Sequence, residues 1–109
     1  MKYTREEYNL KLLLELEYSQ AKDEMNVDLK LLCFELANDI SKSKERYPFI
    51  DDDTRVMCVA FAYDACVRHV MKFNRKKSDN AYAYVNQIIR SSFAGTLKIQ
   101  YNRKKPVSL

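Results

Sequence analysis

The sequence predicts an all-α fold, a small bundle of about four helices. One Gly and two Pro in 109 residues leave a sheet protein without the residues its turns require. Apolar side chains recur instead at helical spacing through four segments separated by polar stretches. Hydrophobic residues make up 47% of the chain, enough for a core and too many for disorder. The length permits one domain that buries about two-thirds of its unfolded surface. We read 1–109 as a single helical domain with an N-terminal helix within 1–25 and a basic tail at 102–109.

The first helix is expected to start at Thr4, whose hydroxyl can cap while Glu7, three residues on, reaches back. Tyr8, Leu12, Leu13 and Leu16 fall on overlapping faces of a segment running to about Ala21, and the polar Lys22–Asn26 reads as a turn. Asn26 or Asp28 then opens a second helix whose stripe is Leu29, Leu32, Cys33, Leu36, Ala37 and Ile40. It fades into 41–46.

Pro48 keeps Tyr47 out of the α region, so 47–53 is a connector, and Asp51, Asp52 and Asp53 at its end are read as capping and dipole-complementing carboxylates rather than a metal cluster. A third helix over about 54–73 is apolar nearly all round, which places it at the centre of a bundle or between the bundle and a partner. The polar loop 74–80 follows. A fourth helix starts near Asp79 or Asn80 and runs to about Gln100, with Tyr82, Val85, Ile89 and Phe93 inward. Gly95 within it suggests a close approach or a kink.

Composition sets limits on chemistry. No apolar run approaches the roughly 18 residues of a membrane span, and the N-terminus has no signal-peptide core, so neither secretion nor membrane insertion is expected. Cys33, Cys58 and Cys66 form no CxxC, and His69 is the single histidine. We therefore expect buried, reduced cysteines in a cytoplasmic protein, His69 as a partly buried packing residue, no metal and no cofactor. With Asp64, Asp79 and His69 the sole candidate acid–base groups of the second half, catalysis is not expected.

Charge is more informative. The formal net charge of +4 hides an acidic front half, net −5 over 1–53, and a basic back half, net +9 over 54–109. Arg75, Lys76 and Lys77 precede the fourth helix, Arg90 and Lys98 lie along it, and Arg103, Lys104 and Lys105 follow it. Distributed cations of this kind neutralise phosphates. Interleaved Tyr82, Tyr84, Asn86, Gln87 and Ser91 are residue types that stack on bases or bond to their edges.

The stretch 71–104, MKFNRKKSDNAYAYVNQIIRSSFAGTLKIQYNRK, resembles region 2 of bacterial sigma factors, most of all the shortened late-transcription sigma factors of tailed phages. Phe73-Asn74 closing the third helix, the polar loop, the aromatic entry Ala81-Tyr82-Ala83-Tyr84 and the Val85-Asn86-Gln87-Ile88-Ile89-Arg90 core carry the likeness, with Tyr84 where the family has Trp and Asn86 where it has Arg. The likeness covers about 27–105 and is weakest before about residue 40.

The resemblance implies a fold like sigma region 2 and a fourth helix facing a −10-like promoter element. Aromatics there, Tyr82 and Tyr84, would help open the duplex, and Gln87 would contact an upstream base pair. It implies that the third helix binds the coiled coil of the β′ subunit of a multisubunit RNA polymerase, through Arg55, Ala60, Tyr63, Asp64, Val67 and Arg68. A phage coactivator is a further candidate partner, and the host cytoplasm the candidate location. At this length a second, helix-turn-helix promoter-reading domain is not expected, and Pro106-Val107-Ser108-Leu109 is not expected to serve as a sliding-clamp tail. The alternatives are a polymerase-binding appropriator or inhibitor that does not direct initiation, and a generic helical DNA-binding protein.

Overall fold

The computed structural model describes residues 2–43, 47–49 and 51–104, the last five by backbone alone. Among these residues there are four α-helices and no strand: α1 Arg5–Lys22, α2 Val27–Ser41, α3 Asp52–His69 and α4 Ala81–Lys104, with a 3₁₀ turn at Val70–Lys72. The all-α bundle expected from the sequence is the fold observed. Each helix packs on its two neighbours in a ring, so α1 touches α2 and α4 and lies diagonally across from α3; α2 and α4 also meet across the other diagonal.

Local chemistry fixes the starts. Thr4 and Glu7 form the reciprocal capping box of α1, with Glu7 N–H donating to Thr4 Oγ1 at 3.1 Å and Thr4 N–H to Glu7 Oε1 at 3.2 Å. Asn26 caps α2 by accepting from Leu29 N–H at 2.7 Å, and Asp51 caps α3 by accepting from Thr54 N–H at 2.7 Å. Between α1 and α2 the chain turns on Asp23, whose φ of 53° is left-handed, a conformation that short polar side chains tolerate.

Three boundaries differ from expectation. α3 starts at Asp52, two residues early, because Asp51 is the cap that satisfies its first free amides. It ends at His69 and tightens into the 3₁₀ turn, so the last turn before Phe73 is not α-helical. α4 continues to Lys104 instead of stopping near Gln100, which takes the first residues of the expected basic tail into the helix; residues 105–109 lie outside the described residues. α4 runs through Gly95 without interruption, and Gly95 marks no close approach, since it is exposed with nothing within 4 Å of an added Cβ.

The core joins Tyr8, Leu12 and Leu16 of α1, the predicted α2 stripe, Cys58, Val59, Ala62 and Cys66 of α3, and Ala81, Val85, Ile89 and Phe93 of α4. Ala81 takes the inward place expected for Tyr82, which is pushed to the α1 flank. His69 is exposed rather than packed. All three cysteines are buried and free; Cys33 lies against Cys66, and this contact together with burial raises its pKa. Phe49 N–H donates to Tyr47 C=O at 2.9 Å across Pro48, a tight turn suited to proline's fixed φ. That turn sets both aromatic rings on Phe93.

Tyr8 is the core's polar anchor. It is fully buried, and its hydroxyl donates to Asp39 Oδ2 at 2.5 Å. Burial, and then the Asp39 carboxylate, raise its pKa far above the ordinary tyrosine value. A group whose folded pKa lies above its unfolded one favours the fold while neutral, so its contribution is complete below about pH 10 and falls as pH rises past that value. The expected result is a stability that declines in alkali, with a shallower decline in Tyr8→Phe. Denaturant titrations across that range check it; identical slopes in the two proteins would show that other groups govern the decline.

Candidate nucleic-acid interface

The α3–α4 connector, residues 73–80, is held at both ends by amide side chains of α1. Gln20 Nε2 donates to the carbonyls of Met71 at 3.1 Å and Phe73 at 2.8 Å, capping the 3₁₀ turn. Asn9 Nδ2 donates to Asp79 C=O at 3.1 Å, and Asn9 Oδ1 accepts from Tyr82 N–H at 3.0 Å. The two amides are eleven residues apart on a helix, close to three full turns, so they share one face. Asn80 completes the start of α4 by accepting from Ala83 N–H at 2.9 Å. The basic loop is thereby suspended between two fixed points.

Within it Arg75 Nε pairs with Asp79 Oδ1 at 3.4 Å, both groups well exposed, while Lys76 and Lys77 form no ion pair among the described residues and face solvent. Asn9→Ala removes the long-range cap. It is expected to cost about 1–2 kcal/mol, since the Tyr82 amide loses its partner, and to speed hydrogen exchange at Tyr82 N–H. Unchanged exchange there would mean the local Asn80 cap suffices.

α4 sorts the sequence-predicted residues onto three faces. At 100° per residue, Tyr82 and Tyr84 are about 200° apart and cannot form one stacking platform. Tyr84 turns to α3: its hydroxyl donates to His69 C=O at 2.9 Å and its ring lies 5.4 Å from that of Phe73, and partial burial raises its pKa. Tyr82 turns to α1, with its ring 6.4 Å from Tyr8 and 6.0 Å from the Arg5 guanidinium. The outward face carries Gln87, Ser91 and Lys98, all exposed, with Gln87 Nε2 donating to Ser91 Oγ at 3.2 Å.

Asn86 and Arg90 follow Tyr82 at i+4 and i+8, so these three line a polar cleft of about 740 Å³ between the starts of α1 and α4. Arg5, Glu6 and Asn9 form its other wall. Asn86 Oδ1 and Arg90 Nε are buried without a hydrogen-bond partner among the described residues, two unsatisfied polar atoms beneath the wall of the cleft. Sequence reasoning missed Arg5, Asn9 and Gln20. The signal was faint: Asn9 and Gln20 are uncharged polar residues beside the buried stripe of α1. The side chains of Arg103 and Lys104 lie outside the described residues.

On α3, Ala60, Asp64 and Arg68 are exposed and Val67 half-buried, with Arg68 Nε on Asp64 Oδ2 at 3.2 Å. Val56, Met57 and Phe61 extend this outward face, each about half exposed. Arg55 and Tyr63 are committed elsewhere. Arg55 bonds Asp52 at 2.9 Å, Asn38 at 2.9 Å and Ser41 at 2.8 Å, tying α3 to α2, and Tyr63 packs edge-on against Phe34. Among the described residues no group of three His, Cys, Asp or Glu is placed to hold a metal, and no helix is long and apolar enough to cross a membrane. Comparison of the chain with protein-family models, curated proteins and solved structures gives no match in any of the three.

Proposed function

We propose that this chain is a promoter-specificity factor of the sigma region 2 type, which binds a multisubunit RNA polymerase through the outward face of α3 and meets a −10-like DNA element with the outward face of α4. One observation carries the reading. Gln87, Ser91 and Lys98 share a single solvent-facing stripe, entered through a loop whose Lys76 and Lys77 form no ion pair among the described residues. Phosphate contacts from the loop would set the register, and Gln87, one of the two side chains suited to adenine, would read a base edge.

Reconstituted transcription on candidate promoters with core polymerase tests this. Gln87→Ala is expected to lower discrimination at one base pair by about 1–3 kcal/mol with polymerase binding unchanged. Replacing Lys76 and Lys77 by Ala should flatten the log–log salt dependence by about one unit per lost phosphate contact. An unchanged slope would place the loop away from DNA, and absence of specific initiation would overturn the reading.

One observation favours a second reading, a polymerase-binding regulator that does not direct initiation. Both tyrosines proposed to open the duplex are engaged within the bundle, Tyr84 on His69 and Phe73 and Tyr82 on Tyr8. Melting a base pair requires a free platform to offset the lost stacking. Polymerase binding combined with inhibition of transcription would select this reading.

A further inference from the structure

Arg90 is held in an unfavourable place. Its Nε is buried without a hydrogen-bond partner among the described residues, while its terminal nitrogens are neither buried nor hydrogen-bonded there and line the cleft between the starts of α1 and α4. No Asp or Glu follows Asp79 in the chain, so α4 itself has no carboxylate to offer it. A partly buried guanidinium without a counter-charge is costly, and an anion on its free edge lowers that cost. On the opposite wall Arg5 is exposed and forms no ion pair among the described residues. Its guanidinium lies 6.0 Å from the Tyr82 ring, which steadies it at the cleft. Asn9 fixes the two walls to each other through its bonds to Asp79 C=O and Tyr82 N–H.

We propose that this cleft binds a phosphate ester of one negative charge, held between the guanidinium groups of Arg5 and Arg90. Planar donor forks suit the oxygens of a phosphate, which two arginines can grip from opposite sides. The charge of the ligand follows from the lining. Two carboxylates face the same cleft, but Asp79 is engaged by Arg75 at 3.4 Å. Glu6 therefore offsets one of the two arginines, and the single positive charge left over matches a diester better than a dianionic monoester. The end of α4 is not the anchor, since Asn9 already takes the Tyr82 N–H and Asn80 the Ala83 N–H. A volume of about 740 Å³ also exceeds what a phosphate group alone fills, leaving room for the groups esterified to it. The inference stands without the polymerase and promoter reading, which places DNA on the outward face of α4.

The test follows the amide NMR shifts of the full chain during titration with dimethyl phosphate, a small ester of this charge, and with a short thymidine oligonucleotide. Both are expected to shift the amides of Arg5, Ala83, Asn86 and Arg90 saturably. Tighter binding of the oligonucleotide at these amides identifies a nucleic-acid strand as the source of the ester, and equal affinity per phosphate identifies a free one. Arg5→Gln and Arg90→Lys should each weaken dimethyl phosphate binding about tenfold, the loss of one charge-assisted pair, and Glu6→Gln should strengthen it. Lys22→Gln removes the same charge about 25 Å away along α1, beyond the screening length, and should change affinity no more than about twofold. Arg5, Glu6 and Lys22 are exposed, and the amide spectrum of each variant verifies its fold. Absence of saturable shifts up to about 100 mM ester would overturn the proposal. Shifts that centre on Arg75, Lys76 and Lys77 and survive Arg5→Gln would overturn it too, by placing the anion on the loop.

Discussion

Phe93→Ala is expected to destabilise the protein by about 3–5 kcal/mol, the usual cost of emptying a buried aromatic site. Small domains have about 5–15 kcal/mol in total, so at least about a fifth of the stability rests on one ring. The reason is position. Phe93 is fully buried on α4 and receives two rings from the α2–α3 connector, Tyr47 at 5.1 Å and Phe49 at 5.7 Å, both edge-on. Such pairs contribute about 0.5–1.5 kcal/mol beyond area burial. Removing Phe93 therefore opens a cavity and also frees the connector that leads into α3. Urea unfolding of Phe93→Ala beside Ile99→Ala is the measurement. Ile99 is 57% exposed on the same helix, and its loss should shift stability by no more than about 0.5 kcal/mol. Equal midpoints for the two variants would show that the connector does not close the core.

Local signals carried most of the fold. Thr4 with Glu7, Asn26, and the aspartates before α3 announce helix starts because a cap and the amides it satisfies lie three residues apart in sequence. The buried stripes of α1 and α2 were legible for the same reason, since a period of 3.6 is visible in a short window. What a window cannot show is which helices become neighbours. Asn9 caps Tyr82 from 73 residues away and Gln20 holds Phe73 from 53, and no local pattern distinguishes these amides from solvent-facing ones.

The candidate site was legible as a list and illegible as a surface. The stretch from Tyr82 to Ser91 turns through the whole circumference of α4, so residues that read as one recognition strip divide among the α1 cleft, the α3 junction and the outward face. The helical period alone would have separated Tyr82 from Tyr84. It could not have shown that Tyr84 finds the His69 carbonyl, or that Arg90 Nε is buried without a partner among the described residues.

On the proposed reading, in which the outward face of α3 meets core RNA polymerase, Ala60→Glu is expected to weaken that binding by at least about 2 kcal/mol, roughly thirtyfold, while leaving the fold intact. The two effects separate because of where Ala60 lies. It is exposed at the middle of the outward face of α3, between Val56 and Met57 one turn before it and Asp64 one turn after. A charge there meets only water in the free protein, so stability should change by no more than about 0.5 kcal/mol. In a complex the same charge would be driven into the centre of an apolar contact and left without a partner, where desolvation is most costly. Asp64 and Arg68 make the complementary control, because their ion pair is exposed and worth at most about 1 kcal/mol. Asp64→Ala should therefore alter polymerase binding without altering the unfolding midpoint. Arg55→Ala should do the reverse, since its guanidinium is spent on Asn38, Ser41 and Asp52. Pull-down with core polymerase and a denaturation curve for each variant decide the matter: if Ala60→Glu binds polymerase as the wild type does, the outward face of α3 is not the polymerase contact, and the apolar residues exposed there require another partner.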